Sequence, residues 1–184
     1  NQIFVSFVCS GQARQSWADV RVGALLSVDG AVSWTRAAFT TIDQQHNDPN
    51  INAANPERWT YWRSGVTECH GEYHCPQPMA ASIDFLYDGR MVIGLRDRFG
   101  DMTMAFNDKA VQIGIPAGDV IVLDTLTATT WAGVRLAADG FEYLKDNNTH
   151  ASTVDYEHLL GAVQVVPGTH NGGTGQEIAA TVAD

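Results

Sequence analysis

The feature that most constrains the fold is a pair of apolar runs on either side of Asp88-Gly89. Ile83, Phe85 and Tyr87 alternate with other residues before this pair, and the apolar run MVIGL follows it. Alternation with a period of two indicates a strand, and Asp-Gly supplies the positive φ that a two-residue hairpin turn requires. The sequence therefore predicts a β-hairpin with a two-residue turn within residues 81–101.

Further short apolar runs, separated by turn residues, follow the same pattern along the chain. They predict strands in residues 3–9, 20–28, 31–38, 118–131, 159–166 and 177–183, with turns at Asp29-Gly30 and at Asp124. Short strands joined by such turns are typical of all-β proteins, including β-propellers. An all-β, β-propeller-like fold is the prediction, and a β-sandwich is the alternative.

The length of the chain limits how many propeller blades it contains. With blades of about 40–50 residues, the 184 residues supply about four, in a small or partial ring. Residues 43–78 change to a polar and then histidine-rich composition, which predicts a loop insertion. We expect residues 1–184 to form one domain or an excerpt of a larger one. The start at Asn1, without an initiator Met or a signal peptide, predicts a processed or excised chain.

The composition excludes several classes of partner. The net charge is −10 with only 11 Lys plus Arg, so no basic surface is expected for nucleic acid or anionic membranes. No apolar run approaches the roughly 20 residues of a spanning helix. Low lysine content and three cysteines favour an extracellular or cell-surface location.

The segment CHGEYHC places five chemically active side chains within seven residues: Cys69, His70, Glu72, His74 and Cys75. These side chains are zinc or copper ligands by type, but the second pair of a zinc finger does not follow. In an oxidising compartment a Cys-x5-Cys loop closes readily as a disulfide. We therefore expect a Cys69–Cys75 disulfide and no cofactor. A site for zinc, copper or calcium at His70, Glu72 and His74 is the alternative, and free or differently paired cysteines are the third possibility.

The third cysteine, Cys9, lies in the predicted strand of residues 3–9. Free cysteine is among the most buried residue types. We expect a buried strand here, with Cys9 as a buried thiol.

Four charges follow the second strand of the central hairpin, at Arg96, Asp97, Arg98 and Asp101. They could bind an anion or a cation. The favoured interpretation is a structural network in which arginines bond backbone carbonyls and carboxylates and so fix the loop.

The aromatic residues Trp59, Tyr61 and Trp62 could stack on a sugar ring, but packing in the core is the favoured interpretation. The segment SVDGAVSW, residues 27–34, is similar to the Asp-box of sialidase-like propellers, but it lacks the residue between Asp and Gly. An Asp-box is a structural turn in which the aspartate bonds backbone amides, so this segment predicts a turn and no reaction.

Four patches carry a resemblance to a known family. The string IDFLYDGRMVIGLRDRFGD, with CPQPM before it and PAGDVIVL and EHLLGAVQVVPG…EIAATVAD after it, resembles the propeller-like region of large bacterial surface proteins that also carry SdrD-type or Cna B-type repeat domains. The opening segment, residues 3–34, fits the same pattern. The resemblance implies an extracellular structural or adhesive role and brings no catalytic residues with it.

The residues and the resemblance together predict a non-enzymatic extracellular module for surface structure, assembly or adhesion. The expected partners are other protein chains or further modules of the same protein, with carbohydrate as a possible ligand. Exposed strand edges at residues 3–8 and 177–183 would allow a homo-oligomer. The alternative is a metal-binding or carbohydrate-active module that uses the 69–75 loop or the 59–62 aromatic residues.

Overall fold

The computed structural model describes residues 1–42, 45–46, 57–63, 77–99, 119–134, 159–168 and 175–182. Within these ranges the strands are β1 Ile3–Ser10, β2 Val20–Ser27, β3 Thr35–Thr41, β4 Gln45–His46, β5 Glu57–Arg58, β6 Pro78–Phe85, β7 Met91–Asp97, β8 Asp119–Thr127, β9 Thr130–Val134, β10 Leu159–Gly168 and β11 Gly175–Val182. Two short 3-10 helices, Gln12–Arg14 and Trp17–Asp19, connect β1 to β2.

Seven of these strands form one mixed sheet, in the order β1-β2-β3-β9-β8-β7-β6. Neighbours in this sheet are antiparallel except β3 and β9, which are parallel where Ala38 lies opposite Trp131. The two edge strands, β1 and β6, come close to each other without forming a ladder. The sheet is therefore barrel-like and nearly closed.

Three aromatic rings hold the two edge strands together at one end of the sheet. Phe4 of β1 lies 4.7 Å from Phe85 of β6, measured between ring centroids. Trp131 of β9 packs against both rings, at 5.7 Å from Phe4 and 5.4 Å from Phe85. Edge-on and tilted contacts at these distances are favourable for aromatic rings, so this trio closes the interior where backbone hydrogen bonds do not.

The interior is built from alternate residues of the central strands. The fully buried side chains include Val20 and Val22 of β2, Met91, Ile93 and Leu95 of β7, and Ile121 and Leu123 of β8. Each such side chain contributes about 1.5–3 kcal/mol on leaving water. This interior therefore fixes which face of each strand points inward.

The hairpin β10–β11 forms a second layer over part of the sheet. Val92 and Val122 are opposite each other on β7 and β8 and face away from the interior, yet both are buried. β10 runs close to β6, β7 and β8. The outer face of β7 and β8 is therefore covered, which explains why β7 reads as a continuous apolar run.

The all-β class is confirmed. The described strands show a single seven-stranded barrel-like sheet with a covering hairpin, and a propeller of four blades stays a prediction. The loop insertion near 43–78 stays a prediction; the described residues of this range include the short antiparallel pair β4 and β5, where Gln45 lies opposite Arg58.

The tip of the central hairpin differs from the prediction. The Leu86 N–H donates to the Arg90 carbonyl, and the Gly89 N–H donates to the Leu86 carbonyl, both at 2.8 Å. Tyr87, Asp88 and Gly89 thus form a three-residue loop, with Gly89 at φ +88°. The prediction of a two-residue turn is wrong because Gly89, the left-handed residue, is the third residue of the loop, as in the common three-residue hairpin geometry.

The turns of two other hairpins also fall elsewhere than predicted. The strand that follows Asp29-Gly30 is β3, and it begins at Thr35. Residues 28–34 before it form a loop that is held by its own hydrogen bonds. Asp124 lies within β8 beside a register shift, and the turn follows at residues 128–129. An aspartate between apolar runs can mark a β-bulge as well as a turn.

The predictions of a buried first strand and a buried thiol at Cys9 are wrong. β1 is an edge strand on which Ile3 is 39% exposed and Val5 is 44% exposed, and Cys9 is exposed as well. The reason is that β10–β11 covers the outer face of β7 and β8, whereas the outward side chains of β1 remain in contact with solvent.

Candidate functional site

Residues 59–63, which we call the strap, bridge the gap between the two edge strands. The Trp62 backbone N–H donates to the carbonyl of Ser10 at the end of β1, at 3.0 Å. The Trp62 indole N–H donates to the carbonyl of Pro78 at the start of β6, at 2.8 Å. One residue therefore links β1 to β6 at the end of the sheet opposite the aromatic trio.

The predicted aromatic cluster is divided between the core and this strap. Trp59 is fully buried in the hydrophobic core, as the core interpretation expects. Tyr61 is half-buried, packs against the core, and lies 5.4 Å below the guanidinium of Arg63. The indole of Trp62 is engaged by Pro78 and by Arg98, whose guanidinium lies 5.2 Å from the Trp62 ring centroid. The two accessible rings of the cluster thus face cations of the same chain.

The predicted charged loop meets the strap through Arg98 and Gln77. Arg98 Nη1 donates to the backbone carbonyl of Arg63 at 3.1 Å and to Gln77 Oε1 at 2.5 Å. Gln77 Oε1 also accepts the Arg63 N–H, at 3.1 Å. Gln77 is fully buried, so these bonds satisfy its buried amide oxygen and fix the strap to the end of β7.

The buried carboxylate of Asp97 also links the end of β7 to Gln77. The Asp97 side chain is 1% exposed, and Oδ1 accepts the N–H groups of Gln77 and Phe99, each at 2.8 Å. These contacts fit the structural interpretation of the charged loop. Arg96 is half-buried and lies opposite Met79 in the β6–β7 ladder, and Asp101 lies outside the described residues.

Cys69, His70, Glu72, His74 and Cys75 all lie outside the described residues. The disulfide and the metal site at these positions stay predictions.

The segment of residues 27–34 forms a compact turn around one carboxylate. Ser27 Oγ donates to Asp29 Oδ1 at 2.7 Å, and the Ser33 N–H donates to the same oxygen at 3.0 Å. The Ser33 hydroxyl donates to Asp29 Oδ2 at 2.5 Å. These bonds, those from Ser33 first, hold the pKa of Asp29 well below its ordinary value. Asp29 accordingly organises the loop as an ionised hydrogen-bond acceptor.

The same turn holds a non-glycine residue in the left-handed region. Gly30 and Ala31 have φ of +76° and +73°. We expect Ala31→Gly to raise the free energy of unfolding by about 0.5–1 kcal/mol, because glycine relieves left-handed strain but loses more entropy on folding. The new Cβ of Gly30→Ala would meet nothing within 4 Å, so this variant measures only the cost of a left-handed backbone at a non-glycine residue. We expect it to lower the free energy of unfolding by about 1–2 kcal/mol. Urea denaturation measures both, and a loss of stability in Ala31→Gly would contradict the assignment of strain.

In the seven-stranded sheet and its connections, as far as burial is described, large apolar side chains are exposed mainly at one end. This end, which we call the turn end, carries the β2–β3, β8–β9 and β6–β7 connections, which follow one another around the rim, and the start of β1. Its exposed side chains are Ile3, Val28, Val32, Trp34, Tyr87 and Leu126, between 38% and 83% exposed. Among the residues whose burial the structure describes, which exclude β4, β5, β10 and β11, the one other exposed large apolar side chain is Val5, two positions further along β1.

A second surface was not predicted from the sequence and lies on the outer face of β2 and β3. The guanidinium carbons of Arg21 and Arg36 lie 5.2 Å and 5.0 Å from the ring centroid of Phe39. The ring of Phe7 stacks beside Phe39 at 6.0 Å. The available sequence signal is that these arginines are the charged residues of β2 and β3, but only strand pairing brings them to one ring.

Within the described residues, no helix is long and apolar enough to cross a membrane. Comparison of the chain with family models, with curated proteins and with solved structures finds no match. Function must therefore be argued from the surfaces of the chain itself.

Proposed function

We propose that this chain is a non-enzymatic extracellular module that assembles by packing its turn end against the turn end of a second copy. The observation that supports this proposal is the concentration of exposed large apolar side chains at the turn end. Soluble monomers rarely expose large contiguous apolar patches, and such patches mark interaction sites.

The construction of the turn end suits a contact between rigid surfaces. The Trp131 indole N–H donates to the Gly89 carbonyl at 2.7 Å, which ties the β6–β7 loop to β9. Asp29 holds the β2–β3 loop through Ser27 and Ser33. Because these loops are fixed by their own hydrogen bonds, little conformational entropy remains to be lost on association.

The charges at the turn end are partly compensated within each copy. Arg90 Nε donates to Asp88 Oδ2 at 2.8 Å, so this exposed carboxylate carries its own counter-ion. Two copies of net charge −10 nevertheless repel each other at long range. Salt screens this repulsion and leaves apolar contact unaffected, so association should strengthen as salt increases.

Sedimentation velocity over a range of protein concentrations tests the proposal. We expect a monomer–dimer equilibrium that shifts toward dimer between about 50 mM and 500 mM NaCl, where the Debye length falls from above about 10 Å to below about 8 Å. The combined Val32→Ser, Tyr87→Ser and Leu126→Ser substitutions should remove the dimer, because they replace apolar contacts with hydroxyl groups.

Val5→Ser is the matched control, because Val5 is also exposed but lies beyond the turn end. It should leave the association constant unchanged within about twofold, as expected for a surface substitution outside the interface. A monomer under every condition would contradict the proposal, and so would an equal loss of dimer in Val5→Ser.

Several sequence-based predictions stand beside this proposal without a structural test. They are the four-bladed propeller, the bacterial surface-protein family, the extracellular location, oligomerisation through strand edges, and the metal site of the 69–75 loop. Carbohydrate stacking on the 59–62 aromatic residues receives less support, because Trp59 is buried and Trp62 links β1 to β6.

A further inference from the structure

The outer face of β1, β2 and β3 differs in charge from the protein as a whole. The chain has a net charge of −10, whereas these three strands contain no Asp or Glu and two cations, Arg21 and Arg36. Within the described part of the chain, neither guanidinium forms a hydrogen bond or an ion pair. Arg36 is exposed and Arg21 is half-buried, so both retain hydrogen-bond donors for a ligand.

The two guanidiniums are held close together by one aromatic ring. Both guanidinium carbons lie near the centroid of Phe39, so their separation cannot exceed the sum of the two distances, about 10 Å. The cation–π attraction to the ring holds each guanidinium near Phe39 and leaves its N–H donors available for a carboxylate. Arginine binds a carboxylate through two parallel hydrogen bonds, which is stronger than a single neutral contact.

Two aromatic rings lie beside the arginines. Phe7, Gly23 and Phe39 lie in register across β1, β2 and β3. A Cβ at Gly23 would lie 2.6 Å from the Phe7 ring, so that ring sits directly over the glycine backbone. The planes of Phe7 and Phe39 differ by 25°. The absence of a side chain at Gly23 therefore lets the Phe7 ring lie against the β2 backbone next to Phe39, and we call these two rings the aromatic platform.

We propose that this outer face binds an acidic polysaccharide, whose carboxylates bond Arg21 and Arg36 while a sugar ring packs against Phe7. Sugar rings present apolar faces that match an aromatic platform. An acidic peptide is the weaker candidate, because peptides are usually added to a sheet through backbone bonds at an edge strand. The arginines lie on the face of the sheet, where such bonds are already used. This site does not depend on assembly through the turn end.

Calorimetric titration with oligogalacturonate tests the site at about 150 mM salt, where the Debye length of about 8 Å screens the net charge. We expect binding to the wild-type chain, a loss of about tenfold or more in Arg21→Gln and in Arg36→Gln, and a larger loss in the double variant. Arg14→Gln is the matched control: it removes the same charge from an exposed arginine that pairs with Asp19, and its affinity should be unchanged.

Alkylation of Cys9 supplies a readout that a merely structural role for the arginines would not change. Cys9 is exposed and lies opposite Arg21 in the β1–β2 ladder. Oligogalacturonate should slow the reaction of iodoacetamide with Cys9, measured on the peptide that contains it, in the wild type and not in the double variant.

Four results would overturn the proposal. They are no binding of oligogalacturonate, equal binding of neutral dextran, an equal loss of affinity in Arg14→Gln, and tighter binding of polyglutamate. The last result would assign the site to acidic peptides. Melting temperatures of the glutamine variants confirm that a loss of binding does not arise from unfolding.

Discussion

Trp131→Ala is expected to lower the free energy of unfolding by about 4 kcal/mol, the middle of the range for truncating a buried tryptophan. Trp131 is 6% exposed and packs against both Phe4 and Phe85. Its removal leaves a cavity at the point where β1 approaches β6 without ladder hydrogen bonds. Because a domain of this kind is stable by only about 5–15 kcal/mol, the substitution removes a large share of the total. Urea denaturation followed by circular dichroism measures the change.

Two further variants separate the contributions of Trp131. Trp131→Phe keeps most of the packing but removes the hydrogen bond to the Gly89 carbonyl. Its free energy of unfolding should fall by about 1–2 kcal/mol. Trp34→Ala truncates the same residue type on the exposed β2–β3 loop, at 38% exposure, and should lose no more than about 1 kcal/mol. A loss of less than about 1 kcal/mol in Trp131→Ala would show that the aromatic trio does not hold β1 against β6.

Asp97→Ala is expected to lower the free energy of unfolding by about 3 kcal/mol. The substitution removes the acceptor of the Gln77 and Phe99 amides, and leaving a buried donor unsatisfied costs about 1–3 kcal/mol. The effect should extend to the strap, because Gln77 Oε1 accepts from both Arg63 and Arg98. Hydrogen exchange of the Trp62 N–H, which donates to Ser10, should accelerate in Asp97→Ala beyond what the global loss of stability explains.

Asp97→Asn retains an oxygen acceptor and should lose about half as much, about 1–2 kcal/mol. Asp88→Ala removes an aspartate whose side chain is 53% exposed and pairs with Arg90 at the surface, and its free energy of unfolding should fall by about 0–1 kcal/mol. If Asp97→Ala retained full stability but lost a binding activity, the charged loop would have to be regarded as a site instead of a brace.

Local features of the chain were predictable because they depend on neighbouring residues. The alternation before Asp88-Gly89 and the apolar run after it predict the strands that form β6 and β7. The structural role of Asp29 was also predictable, since an aspartate in a turn segment with glycine and nearby serines forms local hydrogen bonds wherever the turn lies. Exact turn length was not predictable, because Leu86 and Arg90 close a three-residue loop that the Asp-Gly signal does not distinguish from a two-residue turn.

The exposure of side chains on the edge strand β1 could not be predicted from the sequence. Cys9 follows a run of apolar residues and is nevertheless exposed, because burial depends on whether a second layer covers that part of the sheet. The same reason separates Val5, which is 44% exposed, from Val92, which is fully buried on a covered face. A period-two pattern predicts which residues share a face of the sheet, but it does not predict which face another element covers.

The sequence by itself determined the all-β class, the positions of most strands and the structural character of the Asp29 turn, because strand alternation and turn chemistry act over a few residues. Only the tertiary structure decided that Trp62 joins β1 to β6, that Arg98 contacts the Trp62 ring, and that Arg21 and Arg36 flank Phe39. Each of these contacts joins residues on different elements, and strand order and curvature place them together. The surfaces that support assembly and ligand binding therefore arise from how the sheet closes.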